Sequence, residues 1–424
     1  MTSTLTATEA AALAAVDEAA IARTLLELLA IPSVTGSAAE SELQHVLARR
    51  LDALELEVDL WAMDLLALRA DPEFPGAEAP RVEAWGLAAV TPGGGDGPTL
   101  ILQGHVDVVP PGDPARWRGD PFVPEVTGEV LHARGACDMK AGLVANLAAL
   151  AAIRTSGARL RGRIAAHFAV SEEDGGLGAF GTLRRGHTGD ACIITEPTGG
   201  ALVTATAGAL TFRIEVAGKA THASTPDAGI SAIDAYLPIH AALARLEARR
   251  NTAPDPLMSD HPIPYALSVG RLRSGDWASS VPDLLVAEGR LGVRLDEDPA
   301  HARAALETCV AEAATANAWL RRHPPTVTWP GGQFASGRLV PGSPLLDLVR
   351  DAHADAVGGP RLPERCAPYG SDLRLYAGAG VPTLHFGPGD VRLAHGPREQ
   401  VRMSEIVAAT RVLVLAALRA VGVR

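Results

Sequence analysis

"GRIAAHFAVSEEDGG", residues 162–176, runs from a strand-like apolar stretch straight into three consecutive acids, Glu172, Glu173 and Asp174, and two glycines. An apolar run without polar alternation reads as a strand buried on both faces, the kind found in a parallel sheet between helices. Like charges packed so closely repel one another. A chain carries them on a solvated turn, or at a site where a cation neutralises them. The rest of the sequence has to decide between the two.

Upstream, "TLILQGHVDVV", residues 99–109, predicts a second apolar strand after the Pro and Gly-rich connection "TPGGGDGP". Helices are expected at about 16–30 and 38–54, and the Ala and Leu content of "MKAGLVANLAALAAI", 139–153, predicts a buried helix. This alternation indicates an α/β fold with a partly parallel sheet. Beyond residue 207 the texture changes. "ALTFRIEVAG", 209–218, places Leu210, Phe212, Ile214 and Val216 on one face, the period of a sheet with one wet side. A helix at about 230–249, strands at about 265–273 and 284–294, and a helix at about 299–317 complete a small α+β unit. The loop "RRHPPTVTWPGGQ" returns the chain, and α/β character resumes with a helix at 343–356 and the strand-like "VPTLHFGPG". The expected organisation is a discontinuous domain of residues 1–207 and 325–424, with a smaller domain, 208–324, inserted. There is no internal repeat.

The 424 residues, 47% hydrophobic and 21% charged, have a globular composition with enough apolar material for a large core. A net charge of −11 and a pI near 5.6 argue against nucleic acid or an anionic membrane as partner, since both need a basic face. Cys137, Cys192, Cys309 and Cys366 form no C-x-x-C pair, so neither a zinc ribbon nor a disulfide framework is indicated. The first residues lack a basic segment and are interrupted by Glu9, Asp17 and Glu18, which predicts an amphipathic helix rather than a signal peptide. No stretch of 18 uninterrupted apolar residues suggests a membrane span. The expectation is a soluble, cytoplasmic chain.

His105 and Asp107 stand one residue apart, a spacing that in a strand puts both side chains on one face. One could bind a metal by its imidazole while the other orients that ring. Asp138 lies at the N-terminal edge of the apolar helix, where taken alone it would be a cap. Glu172 and Glu173 leave their strand in different directions, so one can ligate while the other moves protons. Glu196 directly follows the apolar "ACIIT", and His395 falls on a loop in "RLAHGPREQV". Each has an ordinary structural explanation alone. Together they lie at the ends of core strands and helices, the edge where α/β sheets place their sites. Two imidazoles and three carboxylates suit zinc, cobalt or manganese better than calcium. Five ligands exceed what one tetrahedral zinc takes, which favours a pair of ions about 3.5–4 Å apart. On this reading the acids are tolerated because cations lie beside them.

These motifs, with "LLAIPSVTG", "RGACDMKAG", "GKATHASTP" and "YGSDLRLY", span most of the chain. In them the sequence resembles the di-zinc amidohydrolases that include acetylornithine deacetylase, succinyl-diaminopimelate desuccinylase, aminoacylase and carboxypeptidase G. "RGACDMKAG" and "GDWASSVP" look closest to the acetylornithine deacetylase side. The resemblance implies a zinc-exopeptidase-like mixed sheet with helices on both faces and an inserted ferredoxin-like lid through which two copies dimerise. It implies that His105 and Glu196 hold one zinc, Glu173 and His395 the other, and Asp138 both. Asp107 would orient His105, and Glu172 would be the general base. His222 would reach an active site, commonly that of the other subunit, to stabilise the oxyanion. Arg294 would hold a substrate carboxylate, and Gly370 and Ser371 would contact substrate. Ser280 stands where many relatives carry Asn, so the contact made there differs. The implied reaction is cleavage of the amide bond of an N-acyl amino acid or related small amide. A dipeptidase or carboxypeptidase of the same family is the alternative. A catalytically silent metal-binding protein would lack Glu172 or a ligand, and a structural cation clamp at "EEDGG" would respond to calcium rather than zinc.

Overall fold

The computed structural model describes residues 5–95 and 97–424. A nine-stranded sheet runs in the order Glu57–Ala62, Trp85–Val90, Arg163–Ala169, Thr99–His105, Ala191–Ile194, Thr383–His385, Leu202–Thr206 and Gly337–Arg338, with Glu364–Ala367 also paired to Leu202–Thr206. The middle four strands are parallel, and Trp85–Val90 and Leu202–Thr206 join them antiparallel, so the sheet is mixed.

Both faces are covered, because successive side chains of a strand point to opposite sides. Leu100, Leu102, Ile164, Ala166, Phe168 and Ile193 pack with the helices Glu18–Leu29, Ala38–Ala53, Ala141–Thr155 and Met403–Val421. Their neighbours Ile101, Ala165, Ala169, Cys192 and Ile194 pack on the other side with Ala179, Leu373 and Tyr376 of two shorter helices. The run Ala136–Thr155 is long and apolar enough to cross a membrane, but 83% of that window is buried inside the molecule, where it is the central core helix. It lies so close to the sheet that a Cβ on Gly142 would stand 2.1 Å from the carbonyl oxygen of Thr195. The expected N-terminal helix is Ala7–Ala14, opened by a capping box of Thr6 and Glu9.

Strand Leu202–Thr206 passes through Ala207 alone into Gly208–Ala217, the central strand of a second, antiparallel sheet. That sheet runs Leu267–Ser274, Leu284–Val293, Gly208–Ala217 and Thr326–Thr328, with Gln333–Phe334 also on Gly208–Ala217. It encloses its own core, in which Leu210, Phe212, Ile214 and Val216 meet Tyr236, Ile239, Leu243 and Leu306 from the helices Ala232–Arg250 and Pro299–Thr315. The alternation read from "ALTFRIEVAG" thus puts its apolar residues under the helices. Two details differ from expectation. The second sheet takes in residues as far as Phe334, past the boundary at 324, because the two short return strands find their backbone partners there. Strand 99–109 stops at His105, where the chain leaves the ladder.

Candidate metal centre

Three parallel strands end level with one another, His105 opposite Ala169 and Gln103 opposite Ile194. His105 is the last residue of its strand. Glu172 and Glu173 follow the second strand and Glu196 the third, so the C-terminal edge of the sheet gathers one imidazole and three carboxylates. Asp138 joins them from the turn before helix Ala141–Thr155, where the Asp138–Met139 peptide is cis. His395 arrives from the loop between Thr383–His385 and Gln400–Arg402, with a backbone φ of +60°.

The side chains converge. His105 Nε2 lies 3.2 Å from Asp138 Oδ1 and 3.6 Å from Glu196 Oε1. His395 Nε2 lies 3.1 Å from Glu173 Oε1 and 3.4 Å from the second oxygen of Asp138. Asp138 therefore stands between the two histidines, one oxygen toward each. Ligand atoms of His105, Asp138 and Glu173 all lie within 4.8 Å of one another, as do those of His105, Glu172 and Glu196. The His395 side chain is 53% exposed, which leaves the cluster open on one side.

The three consecutive acids have different fates. Ser171, at a φ of +63°, turns the chain after the strand. The amides of Glu172 and Glu173 then donate to the two oxygens of Asp107 at 3.1 and 3.2 Å, and the Thr35 hydroxyl donates to Asp107 Oδ2 at 3.0 Å. Asp174 turns away to Arg81 at 3.3 Å and to the amides of Glu78 and Ala79, a structural knot with no part in the cluster. Asp107 meets His105 chiefly through its backbone. His105 Nδ1 bonds the backbone carbonyl of Asp107 at 2.9 Å, while the carboxylate is 3.6 Å away and organises the Glu172–Glu173 turn.

Burial pushes the carboxyls of Glu172 and Glu196 well above the usual range; His105 opposes the shift and neighbouring acids add to it. Glu173 is raised by burial and by the charge of Asp138. Burial works against a charged His105, yet Glu196, Asp107, Asp138 and Glu172 hold its pKa well above normal. Hydrogen bonds to Asp138 and Glu173 push His395 up to about 11. Four carboxyl groups face two imidazoles, and the upward shifts at Glu172, Glu173 and Glu196 show that keeping them ionised there calls for added positive charge. That requirement, together with the mixed nitrogen and oxygen donor set, fits divalent transition-metal ions.

Other expected residues lie elsewhere. His222 is exposed on a two-residue strand paired with Ser280–Val281, and its Nδ1 meets the Ser224 hydroxyl at 2.7 Å. Arg294 is not free for a substrate: its guanidinium is hydrogen-bonded to the carbonyls of Arg249 at 3.3 Å and Arg250 at 2.6 Å, at the end of helix Ala232–Arg250, whose last carbonyls lack helical partners. Ser371 is also withdrawn, buried with its hydroxyl on His385 Nε2 at 3.0 Å and on the Leu373 amide. Gly370 packs against Phe334, where a Cβ would come within 2.4 Å.

Three residues passed over in the sequence belong to this region. The Tyr369 phenol is pushed well above its normal pKa by burial and by Glu196, Asp138 and Glu172. Arg290, on the face of the second sheet away from its helices, reaches this same loop and donates to the Pro368 carbonyl at 2.9 Å. Asp372 is buried beside Arg374 and accepts from Gln103 at 3.0 Å, and burial raises its carboxyl to about 6. The quoted "YGSDLRLY" contains two of the three, and Arg290 was visible as the polar member of a period-two strand.

Residues 101–419 match peptidase family M20/M25/M40. Over 337 residues the chain is 28% identical to an N-formyl-4-amino-5-aminomethyl-2-methylpyrimidine deformylase of Halalkalibacterium halodurans, spanning 74% of this chain and 77% of that protein. Over 231 residues it is 35% identical to a succinyl-diaminopimelate desuccinylase of Leptothrix cholodnii, a match that covers 52% of this chain and 56% of the relative. A solved di-peptidase of Saccharomyces cerevisiae superposes with a TM-score of 0.77 at 14% identity, covering 96% of this chain and 98% of that one, which is a likeness of fold.

Proposed function

This chain belongs to peptidase family M20/M25/M40 and is a hydrolase by that membership, and from that premise we propose that it removes the acyl group of a small N-acyl amino acid. The observation that carries the proposal is the convergence of His105, Asp138 and Glu173, whose ligand atoms lie within 4.8 Å of one another, with Glu196 3.6 Å from His105 and His395 closing the open side. His105 and Glu196 would hold one ion, Glu173 and His395 a second, with Asp138 shared; zinc suits the donors, and cobalt or manganese could replace it. Such ions supply Lewis acidity to the scissile carbonyl and bring a water's pKa near neutral.

The chain supplies the rest. Glu172, buried beside the cluster and tied through its amide to Asp107, is placed to take a proton from the attacking water and give it to the leaving amine. Arg290 takes the part first expected of Arg294. Its pKa is lowered by burial with no charged neighbour opposing the shift, and among the described residues its side chain bonds the Pro368 carbonyl and no carboxylate. A guanidinium held there without a counter-ion suits the carboxylate of an incoming substrate. His222 is bonded to Ser224 and paired with Ser280 rather than to any residue of the cluster, so we assign it to a second copy. Strand Leu267–Ser274 is an open edge of the second sheet, with Leu272 exposed, and Ile233 and Leu237 are exposed on helix Ala232–Arg250. Paired edge to edge, two copies would join into a dimer with this unit as lid. The four cysteines of the chain are free and buried, which suits a reducing cytoplasm.

Two relatives carry names of enzymes that remove formyl and succinyl groups, which supports a deacylase. The dipeptidase reading has the family's description as peptidases and a likeness of fold behind it, but none of the relatives compared in sequence above carries a peptidase name. The test is a panel of N-acetyl, N-formyl and N-succinyl amino acids and dipeptides, given to metal-free protein and to protein restored with zinc or cobalt. Activity is expected only after restoration. Glu172→Gln should still take up two ions while kcat falls by about 10²–10⁴-fold. Full turnover by that variant would remove Glu172 as the base, and full turnover without metal would remove the proposal.

A further inference from the structure

We propose that the buried pair Arg134–Glu399 is a positioning clamp that builds the second ion site, by fixing the peptide from which Asp138 projects to the loop that carries His395. The inference rests on the two-ion reading above. Asp138 and His395 come from distant parts of the chain and must meet to a fraction of an ångström. Arg134 stands four residues before Asp138, and Glu399 four residues after His395.

Both side chains are about 1% exposed. Glu399 Oε2 pairs with Arg134 Nη1, while Oε1 accepts the amides of Cys137 and Asp138, each at 3.2 Å. The carboxylate thus grips the amide of Asp138 itself and fixes the direction in which the Asp138 side chain leaves. The strands on either side carry the same connection, since Gln400–Arg402 pairs antiparallel with Val130–His132. Arg134 lies over the Trp117 ring at 5.1 Å, which holds the guanidinium in place.

A pair present only for stability should satisfy its own donors. Arg134 does not: its Nε and second Nη are buried without partners. A buried ion pair with orphaned donors is often no better for stability than an apolar pair of similar volume. What it does supply is fixed geometry at Asp138. The remaining ligands of the first ion are held separately. His105 ends one strand of the central sheet and Glu196 follows another, and the bonds of Arg134 and Glu399 go to neither. The clamp should therefore act on one ion more than on the other.

Zinc titrated calorimetrically into metal-free protein tests this, with visible spectra of stepwise-added cobalt as a second readout. Wild type should take up two ions in resolvable steps. In Glu399→Gln the first step should stay within about twofold and the second weaken by about 10–100-fold, the usual effect of removing a residue that orients a metal ligand. Arg134→Lys keeps the charge without the fork and should show a smaller loss in the same step. Equal weakening of both steps, or no change in either, overturns the clamp. Wild type that binds fewer than two ions overturns the two-ion reading itself. Should Glu399→Gln not fold, judged by melting of the metal-free protein, Arg134→Lys decides by the same criterion.

Discussion

Glu172, Glu173 and Asp174 are chemically near-identical neighbours, yet one faces the cluster as a candidate base, one as a candidate ligand, and one is locked to Arg81 and two amides. Their identities were legible in sequence and their assignments were not, because a turn of three residues points three ways and only the partners waiting at each end decide. The two arginines of "GRLGVR" make the same point. Arg294 has the right type, but its donors are used by the end of a helix, whereas Arg290 has one neutral acceptor and no carboxylate. Arg290→Met should therefore raise KM for a carboxylate-bearing substrate by about 10–100-fold, the range set by loss of a charge-assisted hydrogen bond, with a smaller effect on kcat. A substrate analogue with a carboxamide in place of the carboxylate should show no such difference. Arg294→Met serves as the comparison and should leave KM close to wild type.

At the scale of strands and helices, the apolar runs and the period-two segment predicted their elements well, since burial on two faces or on one leaves a direct mark on the pattern. Ends were less legible: strand 99–105 stops where His105 turns its ring to the Asp107 carbonyl. Two core strands carry a feature that the motifs did not announce. His167 in Arg163–Ala169 and His385 in Thr383–His385 are fully buried and held neutral, each lowered to about 3 by burial, with His187 adding to the effect at His167. Unfolded, each would titrate near 6.5. A depressed folded pKa lends stability that is present above 6.5 and is lost as pH falls toward 3, because only the unfolded chain then takes up the proton. By pH 5 the loss is at most about 2 kcal/mol per histidine. Urea unfolding at pH 7 and pH 5 measures it. A His167→Gln variant should show a shallower fall between the two, and an unchanged slope would mean that His167 is not held neutral.

On the scale of the whole molecule, the second sheet with its own core is joined to the first at Ala207 and again where Gln333–Phe334 leads into Gly337–Arg338, and its outer strand and one helix leave Leu272, Ile233 and Leu237 in solvent. If that edge joins two copies, Leu272→Lys should yield a monomer in sedimentation, and activity should fall with it, because His222 no longer reaches a second cluster. A mixture settles the direction of exchange. Glu172→Gln and His222→Ala are each expected to be nearly inactive, yet dimers formed between them should regain activity from the one cluster that has both residues. No regain in mixed dimers would place His222 outside catalysis. By itself the sequence determined the α/β class, the change of sheet type near residue 208 and the residues that gather at the candidate metal centre, because strand burial, alternation and ligand chemistry are written in residue type and local order. Only the tertiary structure decided which oxygen of Asp107 meets His105, that Arg294 and Ser371 are already engaged, and that Arg290 and Glu399 stand where they do. Each of those depends on a partner far along the chain, and a donor's availability is settled by what folding brings beside it.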